Sequence, residues 1–165
     1  MRAFSRGWLV PLLLGAATAR AEDTAPVVVD AFEDASAWSA RPADGVGLTL
    51  STSAEPKGSS LRLDFRFTGG GYAVVHRDLA LDLPENWMFR FRLRGEAPSN
   101  HLEFKLIDAS GENVWWNVRR DLEFPSEWRA FSVKKRQVTF AWGPRGGGEI
   151  RHVAAIEFAI TAGSG

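Results

Sequence analysis

The chain has 165 residues, 20 basic and 20 acidic side chains, seven Trp, eleven Phe and no Cys. That length supports one domain around a single core and argues against a two-domain enzyme of ordinary size. The charge balance leaves no footprint for nucleic acid, and the lack of cysteine excludes disulfides, thiolate metal sites and a cysteine nucleophile.

Residues 1–21 read as a secretory signal peptide: Arg2 and Arg6, the apolar stretch Trp8 to Ala17, then Ala19-Arg20-Ala21 as an A-x-A cleavage site. The apolar run is short and broken by Pro11, so a membrane span is not expected. Export to the periplasm or the extracellular space is. Cleavage would leave 144 residues with 17 basic and 20 acidic side chains, net −3. Residues 22–26 form a short polar arm, and 27–165 form the domain.

From Val27 onward apolar residues recur at every second position, the period of a half-buried strand. Leu61-Leu63-Phe65-Phe67 alternates with Arg62-Asp64-Arg66, and Trp87-Phe89-Phe91-Leu93 with Arg90-Arg92-Arg94. Other strands are expected near 27–33, 46–52, 72–78, 101–108, 113–119, 128–134 and 153–161. No segment reads as a helix. Turn-forming clusters separate the strands, among them Pro42-Ala43-Asp44-Gly45, Glu55-Pro56-Lys57-Gly58, Ala97-Pro98-Ser99-Asn100 and Asp108 to Glu112. About nine short strands predict an all-β, two-sheet antiparallel β-sandwich or jelly roll. The strand 153–161 is followed at once by Ala162-Gly163-Ser164-Gly165. An expectation follows that the sandwich lacks its last strand, since a following strand normally covers such an edge.

The succession Val29-Asp30-Ala31-Phe32-Glu33-Asp34, Trp38, Lys57 to Leu63, Glu103 to Asp108, Glu127-Trp128-Arg129 and Ile156 to Ile160 resembles the galactose-binding-like jelly rolls. The pattern is nearest to the family 11 carbohydrate-binding modules and related bacterial domains, some found beside discoidin-type domains. The resemblance implies a non-catalytic module of a larger glycan-active protein, covalently linked to downstream domains and binding a polysaccharide or oligosaccharide. It also implies a structural Ca²⁺ held by Glu33, with Asp30 nearby to supply hard oxygen ligands.

Sugars present apolar C–H faces and hydroxyl edges, so a glycan site needs flat aromatic platforms beside forked polar groups. On β-periodicity, Val114, Trp116 and Val118 read as core, which places Trp115, Asn117 and Arg119 on the polar face. Glu103 and Lys105 of the preceding strand share that face if Asp108 to Glu112 closes a hairpin. Tyr72 and His76 share a phase with Val74, but Ala73 and Val75 form an equally apolar alternative. Trp142, in a glycine-rich loop, is a further candidate platform. Trp38, Trp87, Trp116 and Trp128 are assigned to the core.

Two alternatives stand beside the binding module. Tyr72, His76 and Arg119 supply the residue types of a polysaccharide lyase, or a carboxylate pair those of a glycoside hydrolase. A third reading is a protein-interaction or assembly domain on the same scaffold. None of the H-E-x-x-H, G-x-S-x-G or Walker patterns is present in the sequence.

Overall fold

A computed structural model describes residues 5–15 and 26–162. The cleavage motif at 19–21, nearly all of the polar arm and the tail 163–165 lie outside the described residues.

The described chain folds into twelve strands: β1 (Ser5–Gly15), β2 (Val27–Asp30), β3 (Ser39–Pro42), β4 (Gly47–Glu55), β5 (Gly58–Arg66), β6 (Tyr72–Asp82), β7 (Met88–Glu96), β8 (Asn100–Ile107), β9 (Val114–Leu122), β10 (Arg129–Lys134), β11 (Thr139–Trp142) and β12 (His152–Ala162). Two 3₁₀ turns, Ala35–Ala37 and Lys135–Gln137, are the sole helical pieces among the described residues. The strands form two six-stranded sheets. The back sheet runs β10-β7-β1-β5-β4, with β2 paired to β1, and the front sheet runs β11-β9-β8-β12-β6-β3. The strand pairings are antiparallel. The fold is the expected β-sandwich.

Period-two patterning explains the core. In β7, Phe89, Phe91 and Leu93 are buried while Arg90 and Arg92 are exposed. Phe89 packs on Phe104 of β8 with ring centroids 5.0 Å apart, and Phe91 meets Phe158 of β12 edge-on at 5.0 Å. These aromatic pairs clasp back sheet to front sheet, each adding about 1 kcal/mol beyond the area it buries.

Strands β3 and β11 are short pieces missed by the periodicity. The other addition is β1. The apolar stretch read as a leader core occupies the middle of the back sheet, with Leu9 opposite Leu61 of β5 and Leu93 of β7. A continuous apolar run suits a strand covered on both sides as well as it suits a leader. Pro11 falls where the register against β7 shifts between Val10 and Leu13, so its missing N–H disrupts no regular rung of that ladder.

Two tryptophans depart from the core assignment. Trp128 is half-buried on the outside of the back sheet, its ring beside the guanidinium groups of Arg94 and Arg92 at 4.8 and 5.7 Å. Trp116 lies half-buried on the outside of the front sheet.

Candidate functional site

The outer face of the front sheet is set by register. Side chains directly opposite one another across antiparallel strands share a face. One row therefore crosses all six strands: Ser39, His76, Glu157, Lys105, Trp116 and Thr139. The flanking row on one side carries Arg41, Val74, Ala159, Glu103 and Val118. On the other side lie Asp78, Ala155, Ile107, Val114 and Trp142.

This register corrects the expected phase of β9. Six residues, 108–113, separate β8 from β9, and Asp108 N–H donates to the Asn113 carbonyl at 3.3 Å. Ile107 is thereby opposite Val114 and Leu106 opposite Trp115. Leu102, Phe104 and Leu106 face the core, so Trp115, Asn117 and Arg119 face inward with them, and Val114, Trp116 and Val118 face out. Trp115 is 2% exposed. Its Nε1–H donates to the Gly148 carbonyl at 2.7 Å, and its ring meets Phe140 edge-on at 5.3 Å. Asn117 donates to the Gln137 carbonyl at 2.9 Å, and Arg119 Nη2 to the Ser132 carbonyl of β10 at 3.0 Å. Arg119 ties the rim of the front sheet to the edge of the back sheet, Asn117 ties it to the 3₁₀ turn after β10, and neither lines the outer face with Glu103 and Lys105.

Five of the expected residues do share the outer face: Glu103, Lys105, His76, Tyr72 and Trp142. Ala73 and Val75 are fully buried, which settles the phase of β6 and turns Tyr72, Val74 and His76 outward. Trp142 and Tyr72, 47% and 48% exposed, line one groove of about 510 Å³ together with Arg41, Glu103, Lys105, Glu157 and Thr161. Trp142 stands edge-on to Trp116 with centroids 5.5 Å apart, and Lys105 Nζ lies 5.4 Å from its ring.

The groove floor is a chain of charges fixed by one another. Lys105 Nζ is 3.1 Å from Glu103 Oε2 and 3.8 Å from Glu157 Oε2. Thr161 Oγ1 donates to Glu103 Oε1 at 3.1 Å. The His76 ring bridges Glu157 Oε1 at 2.9 Å and Asp78 Oδ1 at 3.0 Å, and Arg41 Nη1 reaches Glu157 at 3.9 Å. The His76 hydrogen bond and charge hold the Asp78 carboxyl below its ordinary value of 3.8. Groups so interlocked are poised to meet hydroxyls with little reorganisation.

The loop after Trp142 is anchored through Asn113. Asn113 Oδ1 accepts Arg145 N–H at 2.8 Å while its Nδ2 donates to Asp108 Oδ2 at 2.9 Å. Gly143 has φ +131°, and a Cβ there would stand 2.5 Å from Asn113 Oδ1, so glycine is required where the chain turns away from the platform.

Sequence reasoning missed Arg41, Trp116, Glu157 and Thr161. Glu157 had a visible sign, a lone carboxylate inside Ala154 to Ile160; Arg41 had none, because β3 is too short to show a period.

The residues expected to hold calcium do not fit an ion as they are placed. Asp30 Oδ1 accepts Phe32 N–H at 2.6 Å, and Oδ2 accepts Trp38 Nε1–H at 2.9 Å and the Arg77 guanidinium. Both oxygens are satisfied by donors, and a cation already sits beside them, where Ca²⁺ needs free oxygen ligands. Glu33 is exposed. Among the described residues no three His, Asp or Glu side chains gather as a metal site.

No family model matches the sequence, and no curated protein is similar to it at a significant level. Solved structures do match in fold. One is a family 11 carbohydrate-binding module from Clostridium thermocellum in complex with a β-1,3-1,4-mixed-linked tetrasaccharide, with a TM-score of 0.67, 14% identity, and coverage of 93% of this chain and 90% of that one. Another is the family 11 module of the cellulosomal cellulase Lic26A-Cel5E of the same organism, at TM-score 0.64 and 15% identity, covering 81% of this chain and 86% of that one. The chain has the β-sandwich jelly-roll fold of the family 11 carbohydrate-binding modules.

Proposed function

We propose that this chain is a carbohydrate-binding module that holds a polysaccharide or oligosaccharide in the front-sheet groove and performs no chemistry on it. One observation carries the reading: two half-exposed aromatic rings, Trp142 and Tyr72, line the same groove over a floor of mutually fixed Glu, Lys and Arg side chains. A sugar's C–H face stacks on such rings, while its hydroxyls donate to carboxylates and accept from ammonium and guanidinium groups. The floor favours binding over hydrolysis. Glycoside cleavage needs one carboxyl free to donate a proton and another free to attack or to activate water, whereas Glu103 and Glu157 are both tied to Lys105. The fold neighbours, named as carbohydrate-binding modules, support the same reading. Export, to the periplasm or the extracellular space, belongs to this reading and is supported by the leader-like residues 1–21. So does an accessory role beside downstream domains of a glycan-active protein.

Affinity gel electrophoresis against a polysaccharide panel that includes mixed-linkage β-glucan tests it. Retardation by at least one neutral glycan, relieved by Trp142→Ala with Tyr72→Ala, is expected. Unchanged mobility of the parent chain across the panel would refute it, and release of reducing ends or unsaturated products would restore the enzyme alternatives.

A further inference from the structure

A second cavity, of about 690 Å³, opens at the end of the sandwich where β7 begins and β10 finishes. Its volume lies within the usual range of ligand pockets, about 300–1,000 Å³. It shares no lining residue with the groove. Trp87, Trp115 and Ile150 close its floor, and Lys134, Lys135 and Arg136 stand at its rim.

The three cations are placed by the backbone. Lys135 N–H donates to the Trp87 carbonyl at 3.1 Å, and Lys134 N–H to Gln137 Oε1 at 2.9 Å, so the 3₁₀ turn is pinned to the start of β7. Within the cluster the charges are unequal. Lys135 Nζ is spent on Glu149 Oε2 at 3.0 Å and on the Glu85 carbonyl at 2.9 Å. Lys134 and Arg136 are exposed, and neither forms an ion pair among the described residues. Glu149, the acidic residue lining the cavity, is already neutralised. An apolar floor under two uncompensated cations is complementary to an anion that carries an apolar face.

We propose that this cavity is a second ligand site, distinct from the groove, and that it takes a carboxylated sugar unit such as a uronate. The carboxylate meets Lys134 and Arg136, and the C–H face of the ring lies over the floor between Trp87 and Ile150. Charge attraction to exposed cations is salt-sensitive, which sets this site apart from the groove and its paired charges.

The test is calorimetric titration of the full chain with tetragalacturonate and with a neutral β-1,3-1,4-glucan tetrasaccharide, at low and high salt, alongside indole N–H chemical shifts. Tetragalacturonate should bind, weaken with salt, and shift the Trp87 and Trp115 indole signals. Lys134→Gln with Arg136→Gln should cost about tenfold in affinity, at an unchanged melting temperature because both side chains are exposed. Trp142→Ala should leave this binding intact. Uronate binding that persists when the neutral tetrasaccharide fails to bind supports the second site, while the groove reading stands or falls by the polysaccharide panel. No uronate binding, uronate binding indifferent to the Lys134/Arg136 variant, or uronate binding lost with Trp142→Ala would overturn the second site.

Discussion

Replacing Trp115 and, separately, Trp142 by alanine tests the phase of β9, because the two tryptophans are structural opposites. Trp115 is 2% exposed, packs edge-on to Phe140 at 5.3 Å and donates to the Gly148 carbonyl at 2.7 Å. Truncating a buried Trp costs about 3–5 kcal/mol in lost transfer energy and cavity formation, and the orphaned carbonyl adds about 1 kcal/mol. With a urea m-value of about 2 kcal/mol/M, Trp115→Ala should lower the unfolding midpoint by about 2–3 M. Trp115→Phe keeps most of the packing but loses the N–H, and should fall in between. Trp142 is 47% exposed, meets the edge of Trp116 and has Lys105 Nζ 5.4 Å from its ring. Its removal should cost at most about 1 kcal/mol of stability. In the groove it is a platform, and its loss should weaken glycan binding by about 30-fold, the effect of a hot spot worth about 2 kcal/mol. Urea unfolding followed by far-UV circular dichroism, with affinity electrophoresis of each folded variant, reads both axes. A Trp115→Ala chain as stable as the parent but unable to bind glycan would refute the inward placement of Trp115.

Lys105→Met should destabilise the fold by about 2 kcal/mol, because Glu103 and Glu157 are left facing each other without their shared cation while keeping Thr161 and His76 as partners. Adding Glu103→Gln should recover part of that loss in the same unfolding assay. Asp78 and Asp108 have carboxyls held below the ordinary 3.8, Asp78 by His76, and Asp108 because hydrogen bonds from Ser110 and Asn113 outweigh the opposing effect of burial. Depressed folded-state values mean stability that is present above the unfolded value and is lost as pH falls through the folded one. Stability should therefore decline below about pH 4, with a shallower slope in Asp78→Asn with Asp108→Asn; an identical acid profile in that variant would refute the assignment. Processing at Ala21 and the β1 strand exclude each other in a single molecule. A chain purified as residues 22–165 should melt below the 1–165 chain, because Leu9, Leu12 and Leu14 leave the core and β5 and β7 face an unpaired gap. Equal melting temperatures would show that β1 contributes nothing to the domain.

Much of the fold was legible because alternation is a local property. Leu61-Leu63-Phe65 and Phe89-Phe91-Leu93 could bury only one face, and each lies in the strand it predicts. The site was less legible, for two physical reasons. Where both phases are apolar, as in Val114-Trp115-Trp116, alternation cannot choose between them. The polar residues that follow, Asn117 and Arg119, misled because backbone carbonyls at the sandwich rim accept from the Asn117 amide and from Arg119 Nη2 facing inward. The correct phase was encoded outside β9 itself, in the six-residue turn that sets Leu106 opposite Trp115. Short strands hide as well: β3 brings Arg41 to the groove from four residues that show no period.

The amino-acid sequence by itself determined an all-β chain, a core of Phe and Leu, and the outward placement of Glu103 and Lys105, since a period of two and unambiguous neighbours suffice for each. Tertiary structure alone decided which tryptophan is a platform, that Glu157, Arg41 and Thr161 complete the groove, and that an apolar N-terminal run can fill the centre of the back sheet. Those outcomes depend on register between paired strands, several of them far apart in the chain, and a one-residue slip in register exchanges the two faces of a strand.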